Sequence, residues 1–191
     1  SEIFKNISSH HYTREIDKES FNELYIGALL DELDGNKNLF LSYEIKSFKR
    51  KSSNYKNNSE NFDINLAYEI LNTYFNRVIE VSEYQIKLAQ KDSFDLSIFE
   101  GIDIFYDDNE YASTMLELKE RWRKTTKNDF IVSVLAKDDE DEIISNLINR
   151  YERRIKRVLQ RKDEDIFLLA INIMTRQFDP HSTYLLSLIH I

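Results

Sequence analysis

The chain has 191 residues and no cysteine, and its 26 Lys and Arg face 34 Asp and Glu for a net charge of −8. Without Cys there is no disulfide scaffold, thiol nucleophile, zinc ribbon or iron–sulfur site. The acidic balance lacks the basic footprint of a nucleic-acid binder, and no run reaches the ~18 apolar residues of a membrane span. Ser1 does not open a cationic leader with an apolar core.

Breakers are scarce: three glycines (Gly27, Gly35, Gly101) and Pro180. No two glycines lie close enough to cradle a phosphate, and the long stretches free of breakers predict helices. Ser20 and Glu23 have capping-box spacing. Phe21, Leu24, Tyr25, Ala28 and Leu29 follow at helical spacing up to a stop near Asp34-Gly35. Residues 42–50 read as a short helix, and the polar run Lys51 to Asn61 as a loop. Asp63 is then a cap for a long core helix carrying Leu66, Ala67, Ile70, Leu71, Tyr74, Phe75, Val78 and Ile79, continuing through Val81, Tyr84 and Leu88.

Asp107-Asp108 is the expected cap of the next helix, which carries Met115, Leu118 and Trp122. Phe130 to Leu135 fits a buried strand or a helix start, since periodicity cannot decide so short a run. The acidic cluster Asp138 to Glu142 suits the positive end of a helix dipole. That helix is expected to bury Leu147, Ile148, Tyr151, Ile155, Val158 and Leu159. Asp163, Glu164 and Asp165 open the last helix, with Ile166, Leu169, Ala170, Ile173 and Met174 inward, until Asp179-Pro180 stops it. The expected fold is all-α, an irregular domain of about six or seven helices.

Among candidate sites, the basic face is the sharpest. Arg150, Arg153, Arg154, Arg157 and Arg161 fall on one side of a helix by their spacing. They read as a docking face for an acidic protein or for RNA phosphates. The plainer reading is a solvated face, paired with Glu152 or the acidic cluster. Tyr151 is expected on the core side, so the aromatic interleaving of single-strand binders is missing. His10-His11 with Glu15 and Asp17 lacks metal-ligand spacing. His181 beside Ser182 and Asp179 lacks the geometry of a nucleophile and its base, and the run reads as a turn. Trp122 reads as a core or interdomain anchor. No metal, cofactor-binding or catalytic residue is assigned.

Several separated segments, in order, resemble the N-terminal domain of the tail-specific proteases, the C-terminal processing peptidases of the bacterial periplasm. They are His11-Tyr12, Leu33-Asp34-Gly35 and Phe40-Leu41; then Tyr74, Arg77 and Glu80; then Glu117-Leu118, Trp122 and Lys127-Asn128-Asp129. The close is the most specific: Arg150-Tyr151-Glu152, Glu164-Asp165-Ile166-Phe167 and Asp179-Pro180-His181-Ser182-Thr183-Tyr184-Leu185. Gly35 stands where the family usually has Pro. Leu186 to Ile191 departs from the family's continuation toward its PDZ domain, so 1–185 is the expected helical domain and 186–191 a truncation scar or non-native tail.

The resemblance implies a non-catalytic accessory domain of a periplasmic serine protease that degrades proteins with apolar C-termini. Its PDZ domain and its Ser–Lys dyad, in which a neutral lysine is the base, match no residue here. The implied partners are the PDZ and protease domains of the same full-length chain, protein substrates and a periplasmic adaptor, with Tyr184, Leu185 and Trp122 as interdomain contacts. The alternative is a stand-alone helical module whose arginine face binds an acidic protein or RNA.

Overall fold

The computed structural model describes residues 21–54, 63–91, 94, 96, 98, 100, 101, 110–136, 140–178 and 181. Among the described residues six helices follow one another: α1 (Phe21–Asp34), α2 (Ser42–Asn54), α3 (Ile64–Gln90), α4 (Met115–Leu135), α5 (Glu140–Leu159) and α6 (Asp163–Arg176). The fold is all-α among the described residues, with one isolated bridge between Leu41 and Ala112. No helix among them is long and apolar enough to cross a membrane.

The chain divides into two compact units. The first takes residues 1–33, 44–72 and 161–191. Its interior is built from Phe21, Tyr25, Ile26, Leu29 and Leu30 of α1, Ile45 and Phe48 of α2, Leu66, Ala67, Ile70 and Leu71 of α3, and Ala170, Ile171, Ile173 and Met174 of α6. Phe21 packs its ring 5.2 Å from that of Phe178. The Tyr25 hydroxyl donates to the Ala170 carbonyl oxygen at 3.1 Å, and burial, then the nearby Asp63 charge, raises its pKa above the ordinary tyrosine value. Asp63 caps α3 as expected, accepting the Leu66 amide at 3.0 Å.

Residues 34–43 and 73–160 form the second unit. One cluster joins Leu41, Val81, Ala112, Leu118 and Trp122. A second joins Phe130, Ile143, Leu147 and Tyr151, where α4 and α5 pack against one another.

Four sequence expectations need correction. Lys51 to Asn54 belongs to α2 rather than to a loop, because Ser52 is buried on the face that carries Ile45 and Phe48. The cap of α4 is Thr114, its hydroxyl accepting the Glu117 amide at 3.2 Å, whereas the expected Asp107-Asp108 lies outside the described residues. Phe130 to Leu135 is the last part of α4, not a strand: Phe130 is buried, while Val132, Val134 and Leu135 are exposed. Leu24 and Leu159 were placed inward by periodicity, yet they are 59% and 69% exposed. Ile26 and Leu30 bury the α1 face instead. The Ser20 cap, the His10-His11 group and the tail 186–191 lie outside the described residues.

The N-termini of α5 and α6 follow the charge logic. α5 starts within the acidic cluster, at Glu140. α6 carries Asp163, Glu164 and Asp165 in its first turn, where carboxylates meet the exposed N–H groups and the dipole's positive end. The Asp165 carboxylate accepts the Lys162 amide at 3.0 Å.

Candidate functional site

In the second unit the connection from α1 to α2 is held by side chains from three helices. Asp34, the last residue of α1, is 4% exposed. Its carboxylate accepts the amides of Asn38 at 2.7 Å, Leu39 at 2.9 Å and Phe40 at 2.8 Å. Burial outweighs these three donors and the Arg121 charge, so its carboxyl sits above the usual range. The loop's carbonyls are taken from the other side. Arg77 of α3 donates to Leu39 O at 3.0 Å, Arg121 of α4 to Lys37 O at 3.1 Å, and the Trp122 indole N–H to Asn38 O at 2.7 Å.

The turn itself needs one left-handed residue, and this is Lys37 with φ of 53°. Gly35 has no positive φ. The Ser42 amide then pairs with Ala112 O at 2.9 Å. Backbone polar groups in a buried connection must find partners, and here charged side chains and the Trp122 indole supply them.

Two ion-pair groups brace α4. Glu100 pairs with Arg123 and with Lys127, the latter at 3.1 Å. Lys127 also donates to Ile98 O at 2.8 Å. Hydrogen bonds from Arg123, then Lys127, hold the Glu100 carboxyl down at about 2. Asp129 pairs with Arg150 and accepts the Tyr151 hydroxyl at 2.9 Å. Burial, then the Asp129 charge, pushes that hydroxyl up to about 12.

Beside these lies a cleft of about 280 Å³. Leu39, Val81 and Trp122 give it an apolar side; Gln85, Asp129, Arg150 and Arg154 give it a polar one. Arg154 donates to Gln85 Oε1 at 3.2 Å. The guanidinium carbons of Arg150 and Arg154 lie 5.2 and 5.6 Å from the centroid of the Tyr151 ring, within cation–π range.

The structure thus splits the arginine row. Arg150 and Arg154 line the cleft, and Arg153 and Arg157 are exposed on α5. α5 ends at Leu159, so Arg161 lies beyond the helix instead of extending its face. Arg150 pairs with Asp129 of α4. Tyr151 is fully buried, as expected. Trp122 is 2% exposed in the core of its own unit. Tyr184 and Leu185 fall outside the described residues, and of the Asp179 to Thr183 run only His181 is described, exposed.

Sequence reasoning missed Gln85. Its signal was a polar residue at a buried position of the α3 stripe, beside Ser82. It also read Asp34 as a stop and not as a clamp.

The chain matches the family described as tail specific protease N-terminal domain over residues 3–187. Over 180 residues it is 28% identical to the tail-specific protease of Haemophilus influenzae, covering 94% of this chain and 26% of that protein. The chain therefore spans about a quarter of the length of the curated relative it matches. Of the residues with which it resembles that family, Asp34, Phe40-Leu41, Arg77, Trp122, Lys127 and Arg150-Tyr151 lie in the second unit, whereas Glu164 to Phe167 lie in the first. Through a match of nearly its whole length, the chain belongs to the tail-specific protease N-terminal domain family.

Proposed function

We propose that this chain is the non-catalytic helical accessory domain of a periplasmic, carboxy-terminal processing serine protease. In this reading the PDZ domain and the Ser–Lys dyad belong to other parts of the full-length protein. The helical domain shapes the access of proteins with apolar C-termini, and it docks to those domains or to an adaptor.

The match over residues 3–187 carries the reading. The use of the charged motif residues supports it. Asp34, Arg77 and Lys127 spend their polar groups on loop carbonyls, loop amides and ion pairs. A catalytic group must instead meet substrate within hydrogen-bond reach. Docking falls to the α5 arginines Arg150, Arg154 and Arg157, with Arg161 just beyond the helix, and to Tyr184 and Leu185.

The test compares the full-length protease with a version lacking residues 1–185. Cleavage of a folded protein ending in apolar residues should change at least several-fold on deletion, while cleavage of a short unstructured peptide changes little. Equal effects on both substrates, or hydrolysis by the helical chain alone, refute an accessory role. Charge reversal at Arg154, Arg157 and Arg161 together should weaken association with the partner; unchanged association removes the arginine face from the proposal.

A further inference from the structure

The arginine-lined cleft holds an unbalanced charge. Arg150 spends its positive charge on Asp129. Arg154, half-buried, donates to the neutral Gln85 oxygen, and among the described residues no carboxylate pairs with it. The polar side of the cleft thus contains two guanidinium groups and one carboxylate, an excess of one positive charge in a chain whose net charge is −8. A guanidinium presents five N–H donors in a planar fork, and Gln85 takes one of those of Arg154.

The fork is held in place from two directions. Gln85 is 3% exposed and keeps its oxygen on Arg154. The Tyr151 ring lies 5.6 Å from the Arg154 guanidinium carbon. The same cleft is lined by the apolar residues Leu39, Val81 and Trp122. We propose that this cleft is a binding site for a carboxylate on a short aliphatic stem, such as the side chain of Glu in a partner polypeptide. The carboxylate lies on the Arg154 fork, and its stem lies against Leu39.

A carboxylate suits the site better than a phosphate. One excess positive charge balances one carboxylate, whereas a phosphate monoester brings ≈ −1.5 to −2 at neutral pH. The Asp129 carboxylate in the same lining repels the added charge. The proposal narrows the docking face to one cleft and one chemistry. It is tested on this chain alone, so its failure leaves the accessory role standing, and the reverse.

The measurement uses the chain's single tryptophan, Trp122, which lines the cleft. Its emission is followed at low salt during titration with the capped tripeptide acetyl-Ala-Glu-Ala-amide, with its Gln counterpart, with butyrate and with a short uridine oligonucleotide. The Glu peptide should bind at least about tenfold more tightly than the Gln peptide, because the bond to a charged acceptor is lost. Arg154→Gln should weaken the Glu peptide by a similar factor, and Arg154→Lys by less, since the point charge is kept and the fork lost. Butyrate binding as tightly as the Glu peptide supports the site's chemistry and assigns it to a free small acid; weaker butyrate binding assigns it to a polypeptide. Equal binding of the Glu and Gln peptides, no response to any probe, or tighter binding of the oligonucleotide overturns the proposal. The peptide pair needs no variant, so a folding defect in an Arg154 substitution does not shield it.

Discussion

Replacing Asp34 with Ala removes one carboxylate and strands three loop amides. A buried N–H left without a partner costs roughly 1–3 kcal/mol. Of the three, the Phe40 amide is buried, whereas those of Asn38 and Leu39 are partly buried and gain water when the side chain goes. Against this loss stands a relief, since burial disfavours the charged Asp34 carboxyl and raises its pKa. The expected net destabilisation is about 2–4 kcal/mol, most of it from the Phe40 amide.

Asp34→Asn separates the two effects. Its amide oxygen can replace the oxygen that accepts from Leu39 and Phe40, but its NH₂ then faces the Asn38 N–H, donor to donor. The expected cost is about 1–2 kcal/mol. The assay is urea unfolding followed by Trp122 emission, which reports on the same loop through the bond to Asn38 O. An unchanged slope with denaturant marks a change in stability rather than in compactness. A loss below about 1 kcal/mol for Asp34→Ala, or equal losses for Ala and Asn, would refute the clamp.

Four further outcomes follow from burial and charge. The lowered Glu100 carboxyl contributes stability above its ordinary value of 4.5, and loses it as pH falls toward about 2; Glu100→Gln should therefore lower the melting temperature at pH 7, with the gap to wild type closing across that window. Leu24→Gln should change stability by no more than about 0.5 kcal/mol, because the side chain is exposed. Ile26→Ala, two residues on and 1% exposed, should cost about 2–5 kcal/mol, and denaturant unfolding of the pair separates the faces of α1. Tyr25→Phe keeps the ring and removes the bond to Ala170 O, for an expected loss of about 1 kcal/mol by the same measurement.

The α3 stripe from Leu66 through Val81, the Asp63 cap and the acidic start of α6 were legible in the linear chain because each depends on neighbours within about one or two helical turns. Leu24 and Leu159 were misread because periodicity supplies an apolar direction but not the width of the covering partner. Thr114 was passed over for Asp107-Asp108 because many polar residues satisfy the capping preference, and only the onset of helical backbone chooses among them. In the arginine row, spacing placed Arg150 and Arg154 on one face of α5, but it could not reveal Asp129 or Gln85.

Helical class, the absence of thiol chemistry and the family were settled by the sequence itself, because composition, local periodicity and motif order survive without coordinates. Tertiary structure decided that Asp34, Arg77, Arg121 and Trp122 converge on a single loop, the last pair 84 residues from the carbonyls they hold. It decided too that Arg150 finds a carboxylate and Arg154 only an amide. Charge balance in a cleft depends on which side chains the fold brings within a few ångströms of each other, and sequence separation carries no such distance.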